Sequence, residues 1–179
     1  MGNSEKSEII SFTPQDEILL SGDFSGYLNY WDIPNEALIS SKRAHFGKIN
    51  RIEFSENGEY FLTYSSDDKK VKIWNFAAQD TLINFHIETT PHFAIFYDQN
   101  SALIGDENGT IFHKDFYDTE KDSVIYKNST VVDDAVFNKI KNELVITTKS
   151  LINIIDLNKP NKPRFSIENS YSSNFVKTQ

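Results

Sequence analysis

Apolar residues occur along this chain in short clusters of three to six rather than at helical spacing. The clusters are rich in Ile, Val, Phe and Tyr and are separated by Asp, Asn, Ser and Gly, which is the pattern of β-strands joined by tight turns. Residues 129–141 have a possible helical rhythm, but Val131, Val132 and Val136 favour extended backbone there. The sequence therefore predicts an all-β chain.

Two landmarks recur along the chain with nearly the same period. The first is a Phe that ends an apolar cluster and opens a turn, and its copies are spaced 42, 42 and 41 residues apart at Phe12, Phe54, Phe96 and Phe137. The second is the end of a later strand, spaced 43, 40 and 41 residues apart at Trp31-Asp32, Trp74-Asn75, Lys114-Asp115 and Ile155-Asp156. Because two independent landmarks share one period, we predict four copies of one structural unit.

Each unit reads as four strands. In the second unit these are residues 48–54, 60–64, 71–74 and 81–85, with the Asn57-Gly58 pair suited to a tight hairpin turn between the first two. Four antiparallel strands in about 40 residues are typical of a β-propeller blade. We predict units at 8–43, 44–85, 86–126 and 127–167, a flexible N-terminal tail at 1–7, and at 168–179 either a C-terminal tail or the start of another unit.

The stretch from His45 to Asn75 resembles a WD repeat along its whole length. It has a His before the first strand, a Ser and a Gly in the first turn, and the run Ser66-Asp67-Asp68-Lys69-Lys70-Val71-Lys72-Ile73-Trp74. The first unit is similar through Ser21-Gly22-Asp23 and Trp31-Asp32, and the other two match by spacing and hydrophobic pattern. The chain thus resembles the WD-repeat family over about residues 8–167, which implies a propeller fold and a role as an interaction scaffold.

In that family a His, a hydroxyl, an Asp and a Trp form a hydrogen-bonded tetrad that locks the blade. By resemblance, His45, Asp68 and Trp74 hold three of these positions in the second unit. Tyr64 falls at the hydroxyl position, where Ser or Thr is usual, so we expect this tetrad to be incomplete.

The other units depart further from the family pattern. The first has Ser21 and Trp31 but Ser25 in place of the Asp, the third has Lys114 in place of the Trp, and the fourth has Ile155 there. We expect these blades to lack a full tetrad.

The resemblance also implies a partner-binding surface. In family members the residue before the turn Asp and the residue before the first apolar position of the first strand tend to line the top surface around the channel. Here those positions are Phe24, Asp67 and Glu107 for the former and Lys48 for the latter, so we predict them as candidate partner-binding residues.

Composition restricts the function further. The chain of 179 residues carries 18 basic and 26 acidic side chains, a net charge of −8, and no cysteine, which disfavours nucleic acid as a direct ligand and excludes disulfides. No apolar run is long enough to cross a membrane, and the N-terminus lacks the apolar core of a secretory signal. We therefore expect an intracellular protein, cytoplasmic or nuclear.

Candidate catalytic and metal-ligating groups do not form a recognisable motif. His86 and His92 lack a third ligand at a suitable spacing, and the carboxylates of Asp67-Asp68 and Asp133-Asp134 point in opposite directions as neighbours in the chain. We expect no catalytic residue, no cofactor and no metal.

Four units leave the closure of the propeller open. Seven blades are usual in this family and need about 290 residues, so we expect an open arc or partial propeller. Such an arc leaves an apolar sheet face bare at each end, which soluble proteins do not leave uncovered. The arc could close as a small ring, could be completed by a second chain or another protein, or could be part of a longer protein. We predict a non-catalytic protein–protein interaction scaffold, with two alternatives: a subunit of an RNA-processing or translation complex, or a propeller enzyme with a site in its central channel.

Overall fold

The computed structural model describes residues 7–14, 17–160 and 162–168 and forms four antiparallel sheets of four strands each. Within each sheet the strands are hydrogen-bonded in chain order. One short 3-10 helix, Thr119–Lys121, is the helical element of the described residues. The prediction of an all-β chain of four-stranded propeller blades is confirmed. Of the predicted tails, the structure describes Ser7, which begins a strand, and Glu168, which ends one. The rest of both tails lies outside the described residues.

The strands have the following bounds. Blade 1 consists of β1 (Ser7–Phe12), β2 (Ile18–Asp23), β3 (Tyr27–Asp32) and β4 (Ala37–Arg43). Blade 2 consists of β5 (Arg51–Phe54), β6 (Tyr60–Ser65), β7 (Lys70–Asn75) and β8 (Asp80–His86). Blade 3 consists of β9 (Pro91–Phe96), β10 (Ser101–Asp106), β11 (Thr110–Asp115) and β12 (Ser123–Lys127). Blade 4 consists of β13 (Asp134–Asn138), β14 (Glu143–Thr147), β15 (Leu151–Asp156) and β16 (Phe165–Glu168).

The turn between the second and third strands of a blade is hydrogen-bonded to the segment that leads into the next blade. In blade 1, Gly26 has a φ of 83°, and a Cβ there would lie 2.2 Å from the His45 carbonyl oxygen, so the position requires glycine. The Gly26 carbonyl accepts hydrogen bonds from the N–H groups of Ala44 and His45. In blade 2, Lys69 has a φ of 55° and its carbonyl accepts from Ile87 N–H in the same way. These turns therefore fix where the chain enters each following blade.

Three hydrophobic cores lie between neighbouring blades. The core between blades 1 and 2 includes Leu20, Leu28, Tyr30, Phe61 and Trp74, and similar cores join blades 2 to 3 and 3 to 4. We call the side of a blade that meets the preceding blade its leading face and the other side its trailing face. In the described part of the chain, no core joins blade 4 to blade 1, and their strands do not pack together. The molecule is an open arc with β1, β5, β9 and β13 on its concave side.

Candidate functional site: the blade 2 network and its loop surface

Four side chains, joined by hydrogen bonds, stabilise blade 2. Trp74 Nε1–H donates to Thr63 Oγ1 at 2.9 Å, Thr63 Oγ1 lies 2.8 Å from His45 Nε2, and His45 Nδ1 lies 3.1 Å from Asp68. The acceptor carboxylate fixes the proton on Nδ1, so Nε2 accepts from the Thr63 hydroxyl. Every polar group of a neutral imidazole then has a partner. Burial, opposed by the Asp68 charge, lowers the pKa of His45 to about 4.

The hydroxyl of this network comes from Thr63, so the assignment of that position to Tyr64 was wrong. Trp31 pairs with a residue 12 positions earlier, Leu19, whereas Trp74 pairs with one 13 positions earlier, Phe61. The hairpin of blade 2 is therefore one residue longer, and the spacing between Ser21 and Trp31 places Tyr64 on the wrong side of the strand. Tyr64 instead donates its hydroxyl proton to the carbonyl of His92 in blade 3.

The other blades have only parts of this network. In blade 1, Trp31 Nε1–H donates to Ser21 Oγ at 2.9 Å. In blade 3, Lys114 replaces the Trp and pairs with Asp122 at 2.7 Å. His86, which precedes blade 3 in the chain as His45 precedes blade 2, lies exposed at the end of β8. Blade 2 is thus the blade in which the structure brings all four groups together.

Asp68 also connects the network to the surface. Its carboxylate accepts hydrogen bonds from the backbone N–H of Phe46 at 3.0 Å and of Lys70 at 3.1 Å. The neighbouring Asp67 carboxylate accepts from Lys48 N–H at 2.8 Å. The two carboxylates hold the segment before β5 against the β6–β7 turn, and their side chains serve two separate sets of donors.

Three of the four predicted partner-binding residues lie together. The Lys48 ammonium sits 5.0 Å from the centre of the Phe24 ring, and Lys48 N–H is bound to Asp67. Phe24 is 42% exposed at the tip of the β2–β3 turn. Glu107 lies on the equivalent turn of blade 3, where its carboxylate accepts from Thr90 N–H at 3.1 Å. Hydrogen bonding to Thr90 lowers the pKa of Glu107.

A second exposed aromatic side chain, missed from the sequence, lies beside these residues. Phe46 is 72% exposed, with the Arg43 guanidinium 4.7 Å and the Lys70 ammonium 5.7 Å from its ring centre. Its position directly after the tetrad His45 was a signal that could have found it. We call the set Phe24, Arg43, Phe46, Lys48, Asp67 and Lys70 the loop surface. It combines exposed rings with an excess of cations in a chain of net charge −8.

The concave side of the arc holds a separate ionic cluster. Arg51 binds Glu53 at 2.8 Å within β5 and reaches Asp134 of blade 4 at 2.9 Å. Glu53 also accepts from Phe96 N–H at 3.1 Å. Burial raises the pKa of Glu53 while the Arg51 charge opposes the rise. These groups line a cavity of about 520 Å³, and their mutual pairing links blade 2 to blade 4 across it.

Within residues 7–14, 17–160 and 162–168, no three His, Asp or Glu side chains come together as metal ligands. The described part of the chain also contains no helix of the length and apolarity that a membrane span needs.

Comparison with known proteins gives the same architecture. The family described as "WD domain, G-beta repeat" matches residues 37–75, a range that contains all four residues of the blade 2 network. The β-propeller domain of Cps50 (Swd1) from Myceliophteria thermophila has a similar structure, with a TM-score of 0.81, 18% identity, and coverage of 94% of this chain and 57% of that one. The fold is that of a β-propeller. Within this fold, residues 37–75 are similar to a WD repeat.

Curated relatives are similar over shorter stretches. Polyadenylation factor subunit 2 of Candida albicans is 42% identical over 67 residues, covering 37% of this chain and 12% of that protein. Retinoblastoma-binding-like protein E of Dictyostelium discoideum is 31% identical over 100 residues, covering 55% of this chain and 19% of that protein. Pre-rRNA-processing protein IPI3 of Meyerozyma guilliermondii is 28% identical over 86 residues. The matches span less than a fifth of the length of each of these relatives.

Proposed function

We propose that the chain is a non-catalytic protein-interaction scaffold that acts as a subunit or adaptor in a larger complex. The observation that carries this proposal is the loop surface, where Phe46 and Phe24 expose their rings beside three cations and the Phe46 backbone is held by Asp68 of the blade 2 network. Exposed aromatic residues on a rigid support are typical anchors of protein interfaces. We propose an intracellular location, in the cytoplasm or the nucleus.

The ionic cluster of the concave side does not supply a catalytic centre of the usual kind. An enzyme site needs a nucleophile or base that is free to react with a substrate. Here Arg51 bridges Glu53 and Asp134, and the second oxygen of Glu53 accepts from the backbone. This mutual pairing supports a structural role for the cluster, in keeping with the scaffold proposal.

A subunit role in an RNA-processing complex is the form of scaffold that the relatives favour. Two of the similar proteins carry polyadenylation and pre-rRNA processing in their names. We propose that this chain contacts protein components of such an assembly rather than RNA, because the loop surface offers exposed aromatic anchors while the chain as a whole carries a net charge of −8.

The test is quantitative affinity purification from the native source with the loop surface altered. We expect Phe46→Ala combined with Asp67→Lys to reduce recovery of the partners at least tenfold, because both changes alter the loop surface without entering a core. Leu82→Ala, at a side chain 49% exposed on the outer strand β8, is the matched control and should recover them fully. Unchanged recovery with a folded double variant would reject the loop surface as the binding site. Partners that survive ribonuclease treatment and belong to RNA-processing assemblies would support the subunit role.

A further inference from the structure

The loop surface places two cations without a carboxylate partner around one exposed ring. The Arg43 guanidinium and the Lys70 ammonium lie 4.7 and 5.7 Å from the ring centre of Phe46. In the described part of the chain, neither of these cations forms an ion pair. The other two arginines, Arg51 and Arg164, do bind carboxylates. The charge around this ring is therefore available to a partner.

The two carboxylates of the neighbouring turn are engaged by the backbone. Asp68 accepts hydrogen bonds from the N–H groups of Phe46 and Lys70, and its side chain is 7% exposed. Asp67 accepts from Lys48 N–H at 2.8 Å. Neither carboxylate can move towards the two cations without breaking these bonds. Pairing of the two cations is thus open to carboxylates of a partner.

The segment 44–49, which carries the exposed ring, is fixed to blade 1 at both ends. Its first two N–H groups donate to the Gly26 carbonyl at 2.8 and 3.0 Å, and Ile49 N–H donates to the Asp23 carbonyl at 3.2 Å. Because the segment is ordered before binding, a partner avoids part of the entropy cost of fixing a loop. The ring and its cations therefore form a preorganised site.

Both parts of this site attract anionic groups. An aromatic ring has a negative face and a positive edge, and the cations of Arg43 and Lys70 lie over the ring of Phe46. Carboxylates can approach the positive edge and the cations together. A nucleobase needs an open ring face for stacking, and the cations compete for that face. The arrangement thus favours the carboxylates of a protein over RNA.

We propose that the partner binds the loop surface through an acidic, extended segment. Two of its carboxylates pair with Arg43 and Lys70, and a neighbouring apolar side chain packs against Phe46. Alternate residues of an extended segment point to one side and lie ~7 Å apart, so a short segment can reach two cations that flank one ring. This inference rests on the proposed function of the loop surface and adds the chemical class of its partner.

The test starts with selection from a phage-displayed library of random peptides, with the purified chain as bait. We expect the selected peptides to contain alternating acidic residues next to an apolar residue, and to be released as the salt concentration rises. Selection of basic or neutral peptides, or of no peptide, would overturn the proposal. The tightest peptide is then synthesised, and its dissociation constant is measured by fluorescence anisotropy.

Two double variants locate the attraction. We expect Arg43→Gln combined with Lys70→Gln to weaken binding of the selected peptide at least tenfold. Lys141→Gln combined with Lys159→Gln removes the same charge from exposed turn positions of blade 4 and should bind like the parent. Equal weakening by both pairs would show that only the overall charge matters and would overturn the proposal. Circular dichroism should show that each variant is folded.

A third variant tests the sign of the interaction. Asp67→Asn removes a negative charge from the loop surface and, unlike Asp67→Lys, keeps an oxygen acceptor for Lys48 N–H. We expect this variant to bind the acidic peptide at least as tightly as the parent does. Weaker binding would contradict the pairing of the partner's carboxylates with the cations.

Failure of this inference differs from failure of the proposed function. In affinity purification, partners lost with Phe46→Ala and Asp67→Lys but retained with Arg43→Gln and Lys70→Gln would keep the binding site and reject the acidic segment. Partners retained with both pairs would reject the binding site itself. An oligouridine that binds more tightly than the selected peptide would assign the surface to RNA and would also overturn the proposal.

Discussion

Thr63 is the residue through which the blade 2 network is connected, since its hydroxyl serves both His45 and Trp74. We expect Thr63→Val to lower the free energy of unfolding by about 2–4 kcal/mol, because the isosteric change leaves two buried nitrogens without partners. Tyr64→Phe removes a single hydrogen bond to the His92 carbonyl and should cost about 1 kcal/mol. Urea denaturation of both variants checks the order, and a larger loss for Tyr64→Phe would contradict the assignment of the network.

The neutral state of His45 makes stability depend on pH. Its pKa is lowered to about 4 in the folded chain, against about 6.5 when unfolded, so the unfolded chain binds the proton first as the pH falls. The stabilisation is complete above about pH 6.5 and is lost between there and about pH 4, which amounts to about 2 kcal/mol by pH 5. Unfolding measured from pH 7 to pH 5 should show this loss in the parent and in His86→Gln. His45→Gln should flatten the slope, and an unchanged slope would show that another group causes it.

At the scale of the element, the two Trp residues of the WD-type strands lie in different surroundings. Trp74 is 3% exposed, stacked on Phe61 and bound to Thr63, whereas Trp31 is half-buried on the leading face of blade 1. We expect Trp74→Ala to cost about 3–5 kcal/mol. Trp31→Ala should cost about 1–2 kcal/mol, because less of its side chain is buried. Equal denaturation midpoints for Trp74→Ala and the parent would show that the ring does not fill this core.

The strands and their repeat could be predicted because each blade repeats the same alternation of buried and exposed positions. The hydroxyl of the network could not, because one extra residue in the β6–β7 hairpin moves it from Tyr64 to Thr63. The Arg51–Asp134 pair joins residues far apart in sequence, and no local pattern indicates it. Phe46 is an isolated apolar residue next to a turn, and its exposure depends on how the Gly26 turn holds the following segment.

At the scale of the whole molecule, the arc presents two kinds of surface. The loop surface is polar and aromatic and is held by hydrogen bonds of blade 2. The end faces are apolar and lie on blades 1 and 4. The loop surface and the end faces are therefore separate parts of the molecule, so a partner can be bound at the loop surface without covering the end faces.

A cross-link between the two ends of the arc would show whether the arc is open. The chain has no cysteine, so a double variant with Cys in place of Phe12 and Val136 carries two thiols only, one on each end face. We predict that a short thiol cross-linker yields no bridge within one chain at high dilution. An efficient intramolecular bridge in the monomer would place blade 1 against blade 4 in a closed four-blade ring, and the arc would then not be open.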